Sequence, residues 1–186
     1  QDSAKENGWT LLSDSSWTGY VDPPHRLMEG YLQMAAEAAA QIETPPTHIF
    51  LQAGVGGMAG AVAAYAREVW GDAPTICVVE PEFAPAILES IKAGHVVFAD
   101  GPVSEMGRLD CKEPSMIAMV GLAHDADFFV TITEEEAQAE LPTLSAQDLD
   151  TSPSGSAGLV AALRADGAFG MGPDSRVLCI LSEGPS

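Results

Sequence analysis

The chemistry of this sequence concentrates in one glycine-rich turn, Gly54-Val-Gly-Gly-Met-Ala-Gly60. An apolar segment over residues 48–51 precedes the turn, and a helical pattern from Ala61 to Trp70 follows it. Glycine allows positive φ angles and lets a ligand approach the backbone closely. The unpaired N–H groups and the dipole at the start of a helix attract an anion. The turn therefore predicts a phosphate site made of main-chain amides.

Other interpretations of this turn follow from the same residues. A P-loop is excluded, because Ala61 follows the last glycine where that motif has a lysine. The glycines could instead serve only the close packing of a helix on a strand. The spacing from Gly54 to Ala59, glycine-x-glycine-x-x-alanine, also fits a dinucleotide site with Glu80 as its ribose-binding acid. The motif alone does not decide between the two kinds of phosphate ligand.

Two further features fit a pyridine ring better than a nicotinamide. Ser182 ends the last apolar segment beside Gly184, and residues 152–158 form a second turn of small residues before a helical pattern. A pyridine cofactor needs a hydrogen-bond partner at its ring nitrogen. A serine hydroxyl there leaves the nitrogen largely neutral, whereas an aspartate would keep it protonated. These features favour a pyridine cofactor over a dinucleotide.

The charge balance limits the partners of this chain. Its 186 residues include 27 acidic and 8 basic side chains, for a formal net charge of -19. Such a surface repels nucleic-acid backbones, so we expect no nucleic-acid partner. No segment approaches the roughly 18 apolar residues of a membrane span, so we expect no membrane partner. We also expect no metal, because no metal-ligand spacing joins His25, His48, His95, His124, Cys77, Cys111 and Cys179.

Apolar segments alternate with helical patterns along the chain, which predicts an α/β fold. The strand, turn, helix and strand between residues 48 and 79 form a βαβ unit, which implies a parallel sheet. We expect a single α/β domain over residues 1–186, with an open, mainly parallel sheet of about four strands flanked by helices in three layers. Parallel strands would bring the glycine turn and Ser182 to the same edge of the sheet.

Periodicity and capping residues set the expected elements. Strands are predicted at 48–51, 75–79, 128–132 and 176–181, with short ones at 9–12 and 96–98. Helices are predicted at 23–42, 61–70, 84–92, 115–123, 134–139 and 159–165. Ser115 is expected to cap its helix, and Thr133 with Glu136 fits a capping box.

Several segments together resemble one enzyme family. They are Ser13-Asp-Ser-Ser-Trp-Thr-Gly-Tyr20, Met28-Glu-Gly-Tyr31, Leu51-Gln-Ala-Gly-Val-Gly-Gly-Met-Ala-Gly60, Val79-Glu-Pro81 and Ser182-Glu-Gly184. The chain resembles the diaminopropionate ammonia-lyases, within the tryptophan-synthase-β-like group (fold type II) of pyridoxal-phosphate enzymes. The glycine loop indicates the wider group, and the Trp-x-Gly-Tyr segment indicates the narrower family.

The resemblance implies a role for particular residues. Main-chain N–H groups would bind the phosphate of pyridoxal 5'-phosphate at Gly54, Val55, Gly56, Gly57 and Met58. Ser182 would contact the ring nitrogen, and Ser154 and Gly155 would lie near the ring. Asp14 matches an acidic residue near the substrate, where it would bind the second amino group or act as a base.

The family's Schiff-base lysine lies in an N-terminal segment that this sequence does not match. Its lysines are Lys5, Lys92 and Lys112, and all of them are expected to be surface charges. The chain is therefore expected to be the C-terminal part of a longer polypeptide, lacking the lysine region and inactive alone.

The resemblance implies elimination of ammonia from 2,3-diaminopropionate to give pyruvate. The substrate would be a small amino acid, and the full-length enzyme would be a cytoplasmic homodimer. Three alternatives stay open. They are a nicotinamide-dinucleotide-binding oxidoreductase domain, another amino-acid dehydratase or lyase of the same pyridoxal-phosphate group, and a non-catalytic α/β interaction domain that has lost its partner half.

Overall fold

A parallel sheet forms the centre of the molecule in a computed structural model, which describes residues 2–185. Its strands are β1 (His48–Gln52), β2 (Thr75–Pro81), β3 (Phe128–Ile132) and β4 (Val177–Cys179). They lie in the order β3-β2-β1-β4, and each neighbouring pair is parallel. The predicted open parallel α/β sheet is confirmed.

Helices connect and cover these strands. They are α1 (Asp2–Asn7), α2 (Asp22–Gln41), α3 (Gly57–Trp70), α4 (Ala86–Ala93), α5 (Met116–Asp125), α6 (Glu134–Ser145) and α7 (Pro153–Leu163), with a 3-10 turn at Ala168–Gly170. The capping box predicted for α6 is confirmed, because the Glu136 amide donates to Thr133 and the Thr133 amide donates to Glu136. Within the described residues, no helix is both long and apolar enough to cross a membrane.

Two apolar clusters give the molecule its three layers. Side chains of α2, α3, α4 and α5 pack with Ile49, Leu51, Ile76 and Val78 on one face of the sheet. Side chains of α6 and α7 pack with Phe50, Cys77 and Val79 on the other face. The central strand β1 is buried along its whole length. A strand that is buried on both faces has a continuous apolar sequence. Such a sequence predicted β1 and β2.

Two helices begin earlier than predicted. α3 begins at Gly57 inside the glycine turn, not at Ala61, and α7 begins at Pro153, not at Leu159. Glycine and serine have low intrinsic helix propensity, so the sequence predicted loops in place of both first helical turns. At α7, proline in the first helical turn and the cap residue Ser152 override that propensity. The segment 152–158 is therefore mainly helix.

Two short predicted strands are wrong. Residues 9–12 form no strand, and Trp9 and Leu12 are 66% and 81% exposed with no sheet neighbour to cover them. Residues 96–98 form no strand either, because the Val97 amide donates to the Ser90 hydroxyl instead of a strand partner. Apolar content alone predicted these two strands, and neither segment pairs with a neighbouring strand.

Candidate active site

A cleft of about 320 Å³ opens at the carboxyl end of β1. Its walls come from the Asp14 segment, α2, the glycine turn, the 108–111 loop and the segment after β4. The lining residues are Asp14, Leu27, Tyr31, Gln52, Ala53, Gly54, Val55, Gly56, Gly57, Met58, Ala59, Arg108, Leu109, Cys111, Ser182 and Glu183. The fold thus brings Asp14, the glycine turn and Ser182 to one cleft.

The glycine turn has a shape that only glycine permits at two positions. Gly56 precedes α3 with a φ of 94°, in the left-handed region. A Cβ atom there would lie 2.9 Å from the Ile87 Cδ1 atom. A Cβ atom at Gly54 would lie 3.0 Å from both the Arg108 carbonyl oxygen and the Cys111 sulfur. The tight fit against these neighbours fixes the path of the turn.

The main-chain amides of residues 54–58 have no oxygen acceptor among the described residues, and only the Val55 amide has a close protein neighbour, the Cys111 sulfur, whose pKa it lowers. Among the described residues, no hydrogen bond of a loop, turn or side chain begins at any of these N–H groups. Gly57 and Met58 lie in the first turn of α3, where amides have no helical acceptor. The turn is fixed through other groups, since the Ala53 amide donates to the Val79 carbonyl at 2.9 Å and the Val55 carbonyl accepts from Ser115 at 2.9 Å. A row of free donors at a helix start suits a phosphate, so these residues fit the phosphate of pyridoxal phosphate.

Ser182 lines the same cleft from the segment after β4 and is exposed. The Gln52 side-chain nitrogen donates to the Ser182 hydroxyl oxygen at 3.0 Å. The Ser182 amide makes a long hydrogen bond of 3.4 Å with the Gly155 carbonyl. These contacts tie Ser182 to the end of β1 and to α7. Its place in the cleft suits a partner for a ring atom.

Asp14 is exposed and reaches the cleft from the N-terminal loop. A pair of buried serines holds that loop. Ser16 and Ser115 share a hydrogen bond of 2.9 Å between their hydroxyl oxygens, and the Ser16 amide donates to Ser115 at 3.0 Å. Since the Ser115 amide also donates to Val55, this serine clip joins the Asp14 loop to the glycine turn.

The serine clip corrects the predicted role of Ser115. Ser115 is the residue before α5, but its side chain makes no capping bond within its own helix. The Ser16 hydroxyl instead accepts from the Ile117 amide at 2.8 Å, across 101 residues of sequence. Ser16 was not identified from sequence, because a cap supplied from so far along the chain leaves no local signal.

Hydrogen bonds within the protein occupy the start of the second segment of small residues, residues 152–158. The Ser152 hydroxyl accepts from the Gly155 amide at 2.9 Å and donates to the Glu183 carboxylate. The Thr151 hydroxyl donates to the Glu183 carbonyl at 2.8 Å. Ser154 and Gly155 are buried and do not line the main cleft, although Ser154 lines an open groove beside it. The Gly155 contribution is its carbonyl, which accepts from Gln52 at 3.0 Å.

Glu80 is occupied as a helix cap. Its carboxylate is fully buried and accepts from the amides of Ile87 and Leu88 at 2.7 and 2.8 Å. Burial raises the pKa of Glu80 to about 7, while the two amides act in the opposite direction. A carboxylate held in this way is unavailable to a ribose hydroxyl, which removes the residue that supported a dinucleotide site.

The charges of the cleft are few. Arg108 is the one basic residue among the described residues that line it, and its side chain is 82% exposed and 3.5 Å from Glu183. Burial raises the pKa of the Cys111 thiol, and the nearby Asp14 carboxylate raises it further. The thiol therefore stays protonated and adds no charge. Binding of an anion here must depend mainly on main-chain dipoles.

The lysines lie away from the cleft. Lys92 is exposed and pairs with Glu89 at 2.8 Å. Lys112 is not the surface charge that was predicted, since its side chain is 18% exposed. Its ammonium donates at 2.6 Å to the carbonyls of Phe83 and Pro102 and to Asp110. It holds two loops together and is not available as a nucleophile. Within the described residues, no group of His, Cys, Asp and Glu side chains could hold a metal.

Comparison with known proteins gives one family. The family model described as "Pyridoxal-phosphate dependent enzyme" matches residues 1–183. A diaminopropionate ammonia-lyase of Salmonella typhimurium is 36% identical over 137 residues, which cover 69% of this chain and 34% of that protein. The biosynthetic L-threonine dehydratase of Bacillus subtilis is 39% identical over 74 residues, covering 40% of this chain and 17% of that protein.

The solved structures agree. The crystal structure of the Escherichia coli diaminopropionate ammonia-lyase in complex with D-serine matches with a TM-score of 0.88 at 28% identity. The match covers 98% of this chain and 50% of that one. The predicted resemblance and fold type II are thereby confirmed. The chain spans about a third of the length of the curated ammonia-lyase and half of the solved one.

Proposed function

This chain belongs to the pyridoxal-phosphate dependent enzymes, and on that premise we propose that it is the phosphate-binding portion of a carbon–nitrogen lyase acting on 2,3-diaminopropionate. The proposed reaction consumes one water, releases two molecules of ammonia and leaves pyruvate. The row of amides at residues 54–58 without an oxygen acceptor, in the same cleft as Ser182, is the observation that carries the proposal. The ammonia-lyase relatives at 34–36% identity support the choice of substrate.

The first task of this chain is to bind the cofactor without basic side chains. The amides of Gly54 to Met58 would hold the phosphate, helped by the dipole of α3. The Ser182 hydroxyl would contact the ring nitrogen. Pyridoxal phosphate, when bound, supplies a ring that withdraws electrons from the α-carbon of an amino acid.

The second task is to hold the substrate. Asp14 is exposed at the cleft, where its carboxylate could bind the ammonium group on the β-carbon of a diamino acid. As a base, it would instead take the proton from the α-carbon, while the β-ammonium group keeps its proton and leaves as neutral ammonia. The serine clip of Ser16 and Ser115 keeps the Asp14 loop beside the glycine turn, so the substrate site and the phosphate site would move as one unit.

The lysine that attaches the cofactor would come from elsewhere. No lysine among the described residues lines the cleft, and the ammonium of Lys112 is saturated by three oxygens. We therefore propose that this chain is the C-terminal part of a longer polypeptide and that it is inactive alone. The free cysteines Cys77 and Cys179 fit a reducing compartment such as the cytoplasm. A homodimer is proposed from the family resemblance.

A second lyase substrate is supported by one observation. The threonine dehydratase relative is 39% identical over 74 residues, so a hydroxy amino acid is the competing substrate class. Asp14 separates the two classes, because a carboxylate favours a substrate with a second ammonium group over one with a hydroxyl. The nicotinamide alternative has lost its main support, since Glu80 caps α4.

The test compares this chain with the proposed longer polypeptide, called the natural protein below. Purified natural protein loaded with pyridoxal phosphate should form pyruvate from 2,3-diaminopropionate much faster than from threonine or serine. Residues 1–186 alone should bind the cofactor phosphate and form no pyruvate. Faster turnover of threonine would overturn the substrate, and activity of the chain alone would overturn the proposed division of the site.

A pair of variants tests Asp14 in the natural protein. Asp14→Asn should reduce turnover of the diamino acid at least about tenfold, because it removes the charge that pairs with the second ammonium. Glu113→Gln, at an exposed acid outside the cleft lining, is the matched control and should change little. Equal effects of the two variants would remove Asp14 from the mechanism.

A further inference from the structure

Gln52 is a buried amide at the end of β1 with a contact to Ser182. Its side chain is 1% exposed. The Nε2 atom lies 2.8 Å from the Ile180 carbonyl oxygen, 3.0 Å from the Gly155 carbonyl oxygen and 3.0 Å from the Ser182 hydroxyl oxygen. Since an amide has only two hydrogens for these acceptors, one hydrogen is shared. One nitrogen thus joins β1, α7 and the residue that faces the cleft.

The orientation of this amide is fixed by its neighbours. Carbonyl oxygens accept hydrogen bonds and cannot donate, so the NH₂ group must face Ile180 and Gly155. The reversed amide would place its oxygen against both carbonyls. The Gln52 Oε1 atom has no hydrogen-bond partner among the described residues. A Cβ atom at Gly158 would come within 2.8 Å of it, so the oxygen is enclosed.

An unpartnered buried acceptor costs folding free energy. Methionine is similar in volume and has no amide oxygen to leave unpartnered. The glutamine therefore does not serve stability through its oxygen. What its nitrogen adds, beyond joining two carbonyls, is the contact with Ser182.

That contact restricts the Ser182 hydroxyl. The Gln52 nitrogen carries no acceptor, so the serine oxygen must accept there and the serine hydrogen must point elsewhere. No hydrogen bond among the described residues gives that hydrogen a protein acceptor. Ser182 is exposed and lines the cleft, so the open direction leads into the cleft.

We propose that Gln52 is a positioning residue that turns the Ser182 hydroxyl hydrogen into the cleft, as a donor to an unprotonated ring nitrogen. The inference rests on the proposed function, because it assumes that a pyridine ring lies beside Ser182. A hydroxyl that can only donate to the ring stabilises the neutral nitrogen and opposes its protonation. Gln52 thereby fixes which protonation state the cleft accepts.

The contact itself is tested without a ligand. In spectra of the ¹⁵N-labelled chain, the side-chain NH₂ of Gln52 should exchange with solvent at least about tenfold more slowly than that of exposed Gln147. Ser182→Ala should move the Gln52 NH₂ signals and leave the Gln147 signals in place. Exchange as fast as Gln147, or Gln52 signals unmoved by Ser182→Ala, would overturn the contact.

The direction of the hydroxyl is tested with pyridoxamine 5'-phosphate labelled with ¹⁵N in its ring. The bound ring nitrogen should titrate about one pH unit higher in Gln52→Glu than in the natural chain. A protonated Glu side chain there would donate to a carbonyl and accept from Ser182, leaving a serine lone pair for a ring N–H. Gln52→Met frees the hydroxyl to rotate, so its midpoint should fall between the other two.

The outcomes separate the two proposals. Unchanged midpoints in both variants, with the amides of residues 54–58 still shifted by the ligand, would overturn the role of Gln52 and leave the phosphate site standing. If Gln52→Glu does not fold, a midpoint in Gln52→Met equal to that of the natural chain is sufficient to overturn it. Failure of the natural chain to bind the ligand at those amides would overturn the proposed function itself.

Discussion

Two helices of this molecule begin with similar residues and present opposite chemistry. α3 and α7 both start in glycine-rich segments beside the same cleft. At α7, Ser152 accepts from the Gly155 amide, and Glu183 closes the cap by accepting from Ser152. At α3, the residue before the helix is Gly56, which has no side chain to cap it. The amides of α7 are partly used internally, whereas those of residues 54–58 have no oxygen acceptor among the described residues.

The difference shows that ligand binding at a helix start depends on whether a capping side chain occupies its N–H groups and the space in front of them. Each helix start carries the same unpaired donors and the same dipole. A serine or aspartate before the helix consumes one donor and fills the space in front of the others. Glycine leaves both the donors and the space. We therefore propose that the phosphate binds at the start of α3 and that the start of α7 is structural.

The largest expected effect concerns the glycine turn at the start of α3. Gly56→Ala should weaken binding of pyridoxamine 5'-phosphate by at least about tenfold. The left-handed backbone at φ 94° disfavours alanine, and the new Cβ would meet Ile87 at 2.9 Å. Isothermal titration calorimetry measures the change. Gly121→Ala, in α5 with nothing within 4 Å, is the control and should bind normally. Equal affinity of Gly56→Ala, Gly121→Ala and the natural chain would show that the shape of the turn does not affect phosphate binding.

The next effect tests the clip that holds Asp14 to the glycine turn. Ser115→Ala should lower the free energy of unfolding by about 1–3 kcal/mol, because Ser16 loses a buried partner for its amide and its hydroxyl. Urea denaturation measures it. Ser175→Ala removes the hydroxyl that accepts from the exposed Gly172 amide, and this matched control should cost less than Ser115→Ala. A cost for Ser115→Ala no larger than for the control would contradict the clip.

A smaller effect tests the serine side of the comparison. Ser152→Ala should destabilise the chain by about 1 kcal/mol, since the cap of α7 is lost. Phosphate binding should stay close to that of the natural chain, because no amide of residues 54–58 depends on Ser152. Thermal unfolding and calorimetry on the same samples separate the two quantities. Weaker phosphate binding with unchanged stability would reverse the roles assigned to the two helices.

The smallest effect concerns a third helix start, where Glu80 caps α4. Its pKa is raised from 4.5 to about 7, so the folded state holds a proton that the unfolded state releases. The contribution of Glu80 to stability is fully present below about pH 4.5 and is lost as the pH rises through about 7. As the pH rises from about 5 to about 8, the free energy of unfolding of the Glu80→Gln variant should therefore fall less than that of the natural chain. Exposed Glu82→Gln should follow the natural chain. Parallel pH profiles for all three would contradict the raised pKa.

How far sequence alone predicts this molecule differs between local and long-range features. The strands β1, β2 and β3 and the capping box of α6 were predictable, because each leaves a local pattern of apolar runs or cap residues. The placement of the glycine turn and Ser182 in the same cleft was predictable from the parallel topology of the sheet. The starts of α3 and α7 were not, because low helix propensity concealed them.

The remaining misses depend on contacts across the sequence. The clip of Ser16 with Ser115, the burial of Lys112 and the contact of Gln52 with Ser182 each join segments that only folding brings together. Glu80 fitted a ribose-binding acid by position, and its real partners became visible only with the start of α4. Single residues of this kind look the same in sequence whether they bind a ligand or support the fold.

The most direct test of the central claim follows the main-chain amides during a titration. ¹H–¹⁵N spectra of the chain should be recorded with increasing pyridoxamine 5'-phosphate and, separately, with pyridoxamine. We expect saturable shifts at the amides of residues 54–58 that require the phosphate, with the amides of residues 154–156 nearly unchanged. Shifts centred on residues 154–156, or equal shifts with pyridoxamine, would contradict it.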